Sequence, residues 1–287
     1  MAALKWKLWN TWHALFLAGW SVLWMTLAIC ARVVTGSSET ALRWARTRWS
    51  PGLCWASGVT VEVEGLENVD ASKPCVFVVN HQSMFDIPAL FVALPVNLHF
   101  IAKKELLHVP FLGWYMRAAG MLPVDRKNGP EAVTLLQRAA ERVAGGESVL
   151  AFAEGTRSRT GVIGPFKKGA FMLAIRAQVP VIPVAIEGAR KALPPDGFGV
   201  RPETIRVRLG APIATAGLGA DDRDDVMERA HRAVVAMNVA LGGRGADEER
   251  CSAPALSGGH TQTPVPTAAG RTPWRAGDIG DALAPAP

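Results

Sequence analysis

The sequence predicts an α/β fold: a mixed, largely parallel sheet covered by helices, preceded by a pair of membrane-binding helices. Three observations carry this. Short apolar runs alternate with amphipathic stretches from about Val59 to Leu241, the pattern of strands buried beneath helices. Ahead of them, no charged residue occurs from Leu8 to Ala31, which reaches the length needed to cross a bilayer. From about Gly245 onward the chain is rich in Ala, Pro, Gly, Thr and Ser without periodicity, as in a disordered tail. The expected parts are membrane-binding helices over 1–52, an α/β domain over 53–244 and a tail over 245–287.

A chain of 287 residues accommodates one substantial domain with appendages. Hydrophobic residues make up 49% and mean hydropathy is positive, high for a purely soluble protein. The net charge of +6 suits an anionic partner, either lipid headgroups, a phosphorylated substrate or nucleic acid. A single Tyr115 against ten tryptophans matches base-stacking modules poorly, so nucleic acid is not an expected partner. Several of those tryptophans crowd into the first fifty-five residues, an interfacial distribution. The four cysteines (Cys30, Cys54, Cys75, Cys251) form neither a zinc pattern nor a disulfide framework, and point to a reducing compartment.

Lys5 and Lys7 precede the apolar run and Arg32 follows it. A signal peptide is the competing reading, but the run is long and tryptophan-rich and no convincing small-x-small cleavage site follows. Asn10, Thr11, His13 and Ser21 dilute it, so both a spanning helix and one lying in the interface stay open. Ser37–Trp49 reads as a second helix, capped by Ser37 or Ser38 and closed by Ser50-Pro51-Gly52. Its Arg43, Arg46 and Arg48 stand among Leu42, Trp44 and Trp49, which suits an anionic membrane surface. Each cation contributes about 1 kcal/mol there. Packing on the next domain is the other reading.

Val59–Gly65 alternates with period two, as a half-exposed strand does. Further strands are expected at Cys75–Val79, His99–Ala102, Met121–Val124, Val149–Phe152, Val181–Ile186 and Ile205–Leu209, with helices at Ile87–Leu94, Glu105–Ala118, Pro130–Ala144 and Lys167–Ala177. Asp221–Leu241 is a last amphipathic helix. Met227, Ala230, Val234, Met237 and Leu241 form its stripe, and Gly242-Gly243 stops it.

Chemistry is concentrated at two strand ends. After Val79 come Asn80-His81-Gln82-Ser83-Met84-Phe85-Asp86. Five-residue spacing puts His81 and Asp86 about 140° apart on a helix and on opposite faces of a strand. Only a turn lets the carboxylate reach the ring. Ser83 to Asp86 also fits a capping box, and Pro88 suits a first helical turn, so Asp86 as a mere cap is the competing reading. The second concentration is Phe152-Ala153-Glu154-Gly155-Thr156-Arg157-Ser158-Arg159. There Gly155 permits close backbone approach and Arg157 can grip a phosphate with two parallel hydrogen bonds. Between them lie Lys103-Lys104-Glu105-Leu106, then Pro110, Gly113, Gly120 and Asp125-Arg126, cations that equally fit a solvated face. In open α/β sheets ligands gather beyond the carboxyl ends of strands, where His81 and Glu154 both stand.

Taken together, in this order and spacing, these segments resemble the glycerolipid acyltransferases with an H-x-x-x-x-D motif. They are most like the 1-acylglycerol-3-phosphate (lysophosphatidic acid) acyltransferases. His81 through Asp86 matches the first motif; Lys104 through Arg126 looks like the second block. Glu154-Gly155-Thr156-Arg157-Ser158 resembles the third and Val179–Val184 the fourth. The resemblance covers about Val59 to Leu209 and, less specifically, the amino-terminal helices.

It implies an O-acyltransferase that moves a fatty acyl group from a thioester to the free hydroxyl of 1-acylglycerol 3-phosphate, giving phosphatidic acid. His81 would be the general base and Asp86 the group that orients its ring. Arg157, with Glu154, Gly155 and Thr156, would shape the acceptor's phosphate site, the Glu orienting cations. Lys104 and Arg126 would be further phosphate ligands, and Pro183 would line the acyl-chain path. No metal or other cofactor is implied; acyl-CoA or an acyl carrier protein thioester would be the co-substrate. The expected partners are a lysophospholipid, that donor and membrane lipids. Acyl thioesters being cytosolic, the catalytic domain would face the cytoplasm from a membrane. A different lysophospholipid or lyso-aminolipid acceptor is the alternative, followed by a thioesterase and a non-catalytic lipid-binding protein.

Overall fold

The computed structural model describes residues 2–124, 129–197, 199–246 and 272–274. The first helix, α1 (Ala2–Thr35), contains the uncharged run and ends at Gly36, which takes a positive φ of 67°. Within Leu8–Thr35 an 18-residue window reaches a mean hydropathy of 1.9, and only 6% of that window is buried. The charge-free segment is long enough for a bilayer's hydrocarbon core, about 30 Å at 1.5 Å per residue.

After Gly36 comes α2 (Glu39–Trp44), which passes through a π-helical turn, Ala45–Trp49, into α3 (Ser50–Ala56). The expected stop at Ser50-Pro51-Gly52 is therefore corrected. Proline is tolerated at the start of a helical segment, where its missing N–H leaves no gap. Here the wide turn precedes it and Ser50 N–H reaches Ala45 O. The boundary drawn at 52/53 accordingly falls inside α3. Trp20 lies so close against Gly52 that a side chain there would collide with the indole. The Trp20 indole N–H donates to Trp49 O (3.0 Å), and the Trp49 indole N–H donates to Ser21 Oγ (3.1 Å). Ala28, Ala41, Leu42, Ala45 and Cys54 pack in the same core as Phe77, Leu90 and Phe91. These helices are thus part of the layer covering one face of the sheet.

The strands are β1 (Val59–Glu64), β2 (Val76–Val79), β3 (Leu98–Lys103), β4 (Leu122–Val124), β5 (Ser148–Phe152), β6 (Val181–Glu187), β7 (Glu203–Leu209) and β8 (Thr272–Trp274), each of the first seven at a position the apolar runs predict. Their order is β4-β3-β5-β2-β6-β7-β1-β8. Neighbours from β4 to β6 are parallel, β7 is antiparallel to β6 and parallel to β1, and β8 is antiparallel to β1. The sheet is mixed and largely parallel. Most of the tail expected from residue 245 lies outside the described residues; within it Thr272–Trp274 forms the short edge strand. Gly245 is also tied into the domain, its carbonyl accepting the Ile163 N–H at 2.7 Å.

Central strand β2 is buried throughout, as parallel interior strands are. Phe77 and Val79 join the core beneath α4 (Asp86–Ala93), α3 and the amino-terminal helices. Val76 and Val78 join the core on the other face. That second core is covered by α6 (Gly129–Ala144), α7 (Gly169–Ala177) and α9 (Arg223–Ala240).

Two helical expectations change. Glu105–Ala118 is split into a 3-10 turn, Lys104–His108, and α5 (Leu112–Ala118), because Pro110 and Phe111 (φ 60°) interrupt it. On α9 the buried stripe is Val226, Ala230, Val234 and Asn238, with Met227 and Met237 only partly covered. A short α8 (Ala189–Ala192) after β6 goes beyond the sequence reading.

Candidate active site

The site is built where adjacent parallel strands β2 and β5 end. Asn80, completely buried, replaces the strand that stops before it. Its side-chain amide donates to Ile186 O (3.0 Å) and accepts from Ile186 N–H (2.9 Å), so β2 stays joined to β6 for one residue more. The chain then turns. Gln82 Nε2 donates to Glu187 Oε2 (2.7 Å), and Ser83 Oγ donates to Leu193 O (2.6 Å).

Within this turn His81 Nδ1 and Asp86 Oδ2 are 2.7 Å apart. The same oxygen accepts the backbone N–H groups of Gln82 (2.7 Å) and Ser83 (2.8 Å). Asp86 is fully buried and begins α4. The competing readings therefore converge: the carboxylate organises the turn ahead of its helix and holds the imidazole with one set of bonds. With Nδ1–H donating to Asp86, Nε2 is left with its lone pair. Phe152, the last residue of β5, fixes the ring plane by stacking on it, with centroids 3.8 Å apart and planes at 16°. The His81 side chain keeps 13% exposure.

Glu154 sits beside this pair in a role the sequence does not reveal. Its Oε1 accepts the His81 N–H (2.8 Å) and its Oε2 the Gly164 N–H (2.9 Å). Burial pushes its carboxyl above the ordinary range, while those two backbone bonds pull it back. The expectation that Glu154 orients cations is corrected: its bonds go to backbone donors. Gly155 (φ 73°) makes the turn, its N–H reaching Phe152 O (2.9 Å). Ser158 N–H then donates to His81 O (2.7 Å). His81 is thus gripped through both its backbone groups by the segment after β5.

The remaining expected residues are placed as follows. Thr156 and Arg157 are exposed, with Arg157 Nη1 donating to Pro195 O (3.2 Å) in the loop after α8. Lys104 is exposed and directly follows β3, at the same carboxyl edge of the sheet. Asp125 and Arg126 lie outside the described residues. Pro183 is buried in β6 opposite Val78, on the face away from His81 and Phe152. Its carbonyl accepts the Gly210 N–H (2.8 Å), and its missing donor falls where β7 has already ended. The acyl-path role expected of it is corrected, since the sheet itself separates it from the imidazole.

Asn238 completes the support from behind. It is fully buried and donates to Ile186 O (3.3 Å) and Glu187 Oε2 (3.2 Å), and accepts the Gly245 N–H (3.1 Å). Glu187 in turn takes Gln82. The signal for this residue was a polar side chain at a stripe position of α9, between Val234 and Leu241.

Comparison with known proteins agrees with this geometry. A family model described as Acyltransferase matches residues 60–187, which contain His81, Asp86, Glu154 and Glu187. The 1-acyl-sn-glycerol-3-phosphate acyltransferase alpha of Homo sapiens is 30% identical over 233 residues, covering 80% of this chain and 82% of that protein. The chain belongs to the acyltransferase family. Among other members, 1-acyl-sn-glycerol-3-phosphate acyltransferase BAT2, chloroplastic, of Brassica napus is 41% identical over 154 residues. That match covers 53% of this chain, which spans only 44% of that relative's length. The crystal structure of the 1-acyl-sn-glycerophosphate (LPA) acyltransferase PlsC from Thermotoga maritima superposes with a TM-score of 0.68 at 27% identity. It covers 83% of this chain and 98% of that one. The mixed, mostly parallel sheet with its helices therefore matches the fold of that enzyme.

Proposed function

We propose that this acyltransferase transfers a fatty acyl group from an acyl thioester to the free hydroxyl of 1-acylglycerol 3-phosphate, giving phosphatidic acid. The observation that carries the reading is the His81–Asp86 pair, with one ring nitrogen tied at 2.7 Å and the other free of that bond. The names of the human, plant and bacterial relatives supply the acceptor.

His81 Nε2 takes the proton of the acceptor hydroxyl as its oxygen attacks the thioester carbonyl carbon. Asp86 stabilises the imidazolium that forms. The tetrahedral intermediate then collapses with cleavage of the carbon–sulfur bond, and the imidazolium returns its proton to the departing thiolate. No acyl-enzyme is formed, because the substrate's own alcohol is the nucleophile. General-base assistance of this kind contributes about 10² to 10⁴-fold, and orientation of the two substrates contributes much of the rest. Arg157 and Lys104, both exposed at the sheet's carboxyl edge, are the cations we assign to the acceptor phosphate. Helix α1 attaches the enzyme to a membrane, with the catalytic domain on the cytoplasmic side where acyl thioesters are made.

The test is purified enzyme in lipid vesicles, offered a panel of lysophospholipid and lyso-aminolipid acceptors with acyl-CoA and acyl carrier protein donors. Preferential acylation of 1-acylglycerol 3-phosphate is the expected result. Release of free fatty acid at a rate indifferent to the acceptor would overturn it in favour of a thioesterase.

A further inference from the structure

We infer that Leu106–Trp114 is a second membrane contact beside α1, in which Phe111 and Trp114 enter the lipid interface. The inference rests on the membrane attachment proposed above and adds an anchor to it. Four large apolar side chains within nine residues are left uncovered: Leu106 (36% exposed), Val109 (44%), Phe111 (38%) and Trp114 (54%). Clustered apolar exposure of this sort marks an interaction surface.

Backbone geometry makes the exposure deliberate. Leu112 N–H donates to Pro110 O at 2.7 Å across Phe111, whose φ is 60° and ψ −53°. This is the positive-φ γ-turn, rare and strained for a residue with a side chain. Glycine would relieve the strain, yet the position carries phenylalanine. The turn sets its ring edge-on to Trp114, with centroids 5.3 Å apart, and both rings stand open to solvent.

The surroundings select a bilayer as the occupant. Helix α5 packs against α1, so the aromatic pair is continuous with the uncovered apolar surface of that helix. Lys103, Lys104 and Arg117 flank the segment and His108 lies within it, all exposed, with Glu105 paired to Lys103 (3.3 Å) as the one acid among them. Aromatic side chains flanked by cations are the composition that seats in the headgroup region and meets anionic lipid. Because the segment follows β3 at the sheet's carboxyl edge, this second contact brings that edge, and the site on it, down to the lipid surface. An acceptor can then reach His81 from the leaflet.

The test places an environment-sensitive thiol probe at Trp114→Cys in a chain carrying Cys30→Ser and Cys251→Ser, with the buried Cys54 and Cys75 retained. The labelled protein is bound to vesicles of phosphatidylcholine and phosphatidylglycerol. A blue-shifted emission quenched by spin-labelled acyl chains is expected. Protein that binds the vesicles with its probe unquenched and open to aqueous iodide would overturn the second contact while leaving α1 attachment standing. An emission change that follows protein concentration without vesicles would instead assign the surface to a second copy, and also overturn it. In parallel, Phe111→Gly should hold or raise the melting temperature while the ratio of kcat/KM on vesicle-borne to soluble short-chain acceptor falls several-fold. An unchanged ratio would make the turn purely structural.

Discussion

His81 and Glu154 are joined through a backbone donor, not through paired side chains: the His81 N–H reaches Glu154 Oε1 at 2.8 Å. The same carboxylate holds Gly164 with its other oxygen. A glutamate that reads in the sequence as part of a phosphate grip therefore holds the backbone of His81. Glu154→Gln leaves one acceptor where two donors converge. It should destabilise the fold by about 1 to 3 kcal/mol, measured by urea denaturation. It should also lower kcat by up to about 10², the sensitivity expected of a displaced catalytic group.

Glu154 also imposes a pH dependence. Burial raises its pKa in the folded state, so between the ordinary carboxylate value and the raised one the native protein binds more protons than the unfolded chain. Its contribution to stability is then full below the ordinary value and declines as pH rises through the raised value. Urea midpoints across that range should show the decline in the parent and its loss in Glu154→Gln.

For the His81–Asp86 pair, His81→Ala should remove turnover by about 10² to 10⁴-fold with the circular dichroism spectrum unchanged. Asp86→Asn should lower turnover by no more than that, because a carboxamide still accepts the ring N–H but lacks the charge that stabilises the imidazolium. Asp86→Ala should in addition unfold at lower urea, since it strands the Gln82 and Ser83 N–H groups as well as the ring. Equal stability of the two Asp86 variants would count against this account of the turn.

Asn238 is far from the imidazole in sequence and reaches it through Glu187 and Gln82. Asn238→Leu keeps the branched shape and deletes three hydrogen bonds. We expect a stability loss of about 1 to 3 kcal/mol and a fall in kcat with KM little changed, read from steady-state rates on vesicles.

On the far face of the sheet, His99 is buried, with Nδ1 near Gly120 O (3.0 Å) and Nε2 near Glu147 Oε2 (3.5 Å). Arg142 ties the same carbonyl (2.7 Å) and carboxylate (2.6 Å) together. Burial is the main cause that lowers the His99 pKa. Its stabilising contribution is therefore present above the ordinary histidine value of about 6.5 and lost as pH falls through the folded value. His99→Gln should remove part of the acid-side fall in urea midpoint.

Much of this was legible in the sequence because apolar runs locate buried strands well. Seven of the eight described strands were, β8 being the exception, and the His81–Asp86 turn followed from a spacing that regular structure does not allow. What escaped was carried by side chains bonding to backbone. Asn80 extending β2, Glu154 holding His81 and Asn238 backing Glu187 are partnerships between residues far apart in the chain, which no local pattern encodes. Pro183 was misplaced for a related reason. The composition of a strand says that it is buried, while only the register with Val78 says on which face. The join of α2 to α3 was hidden by Ser50-Pro51-Gly52, whose breaker residues sit here at a helix start.

The dependence of one loop on three strand ends has a consequence for biosynthesis. His81 is held by Glu154, 73 positions later, and its neighbour Asn80 by Ile186, 106 positions later. Contacts of such separation form late, because distant segments must first be brought together. A chain still emerging from the ribosome with His81 and Asp86 already free has neither Glu154 to hold His81 nor β6 to seat the turn. The acyl transfer proposed above therefore becomes possible only with completion of the sheet, and chains that end before β6 should show no turnover.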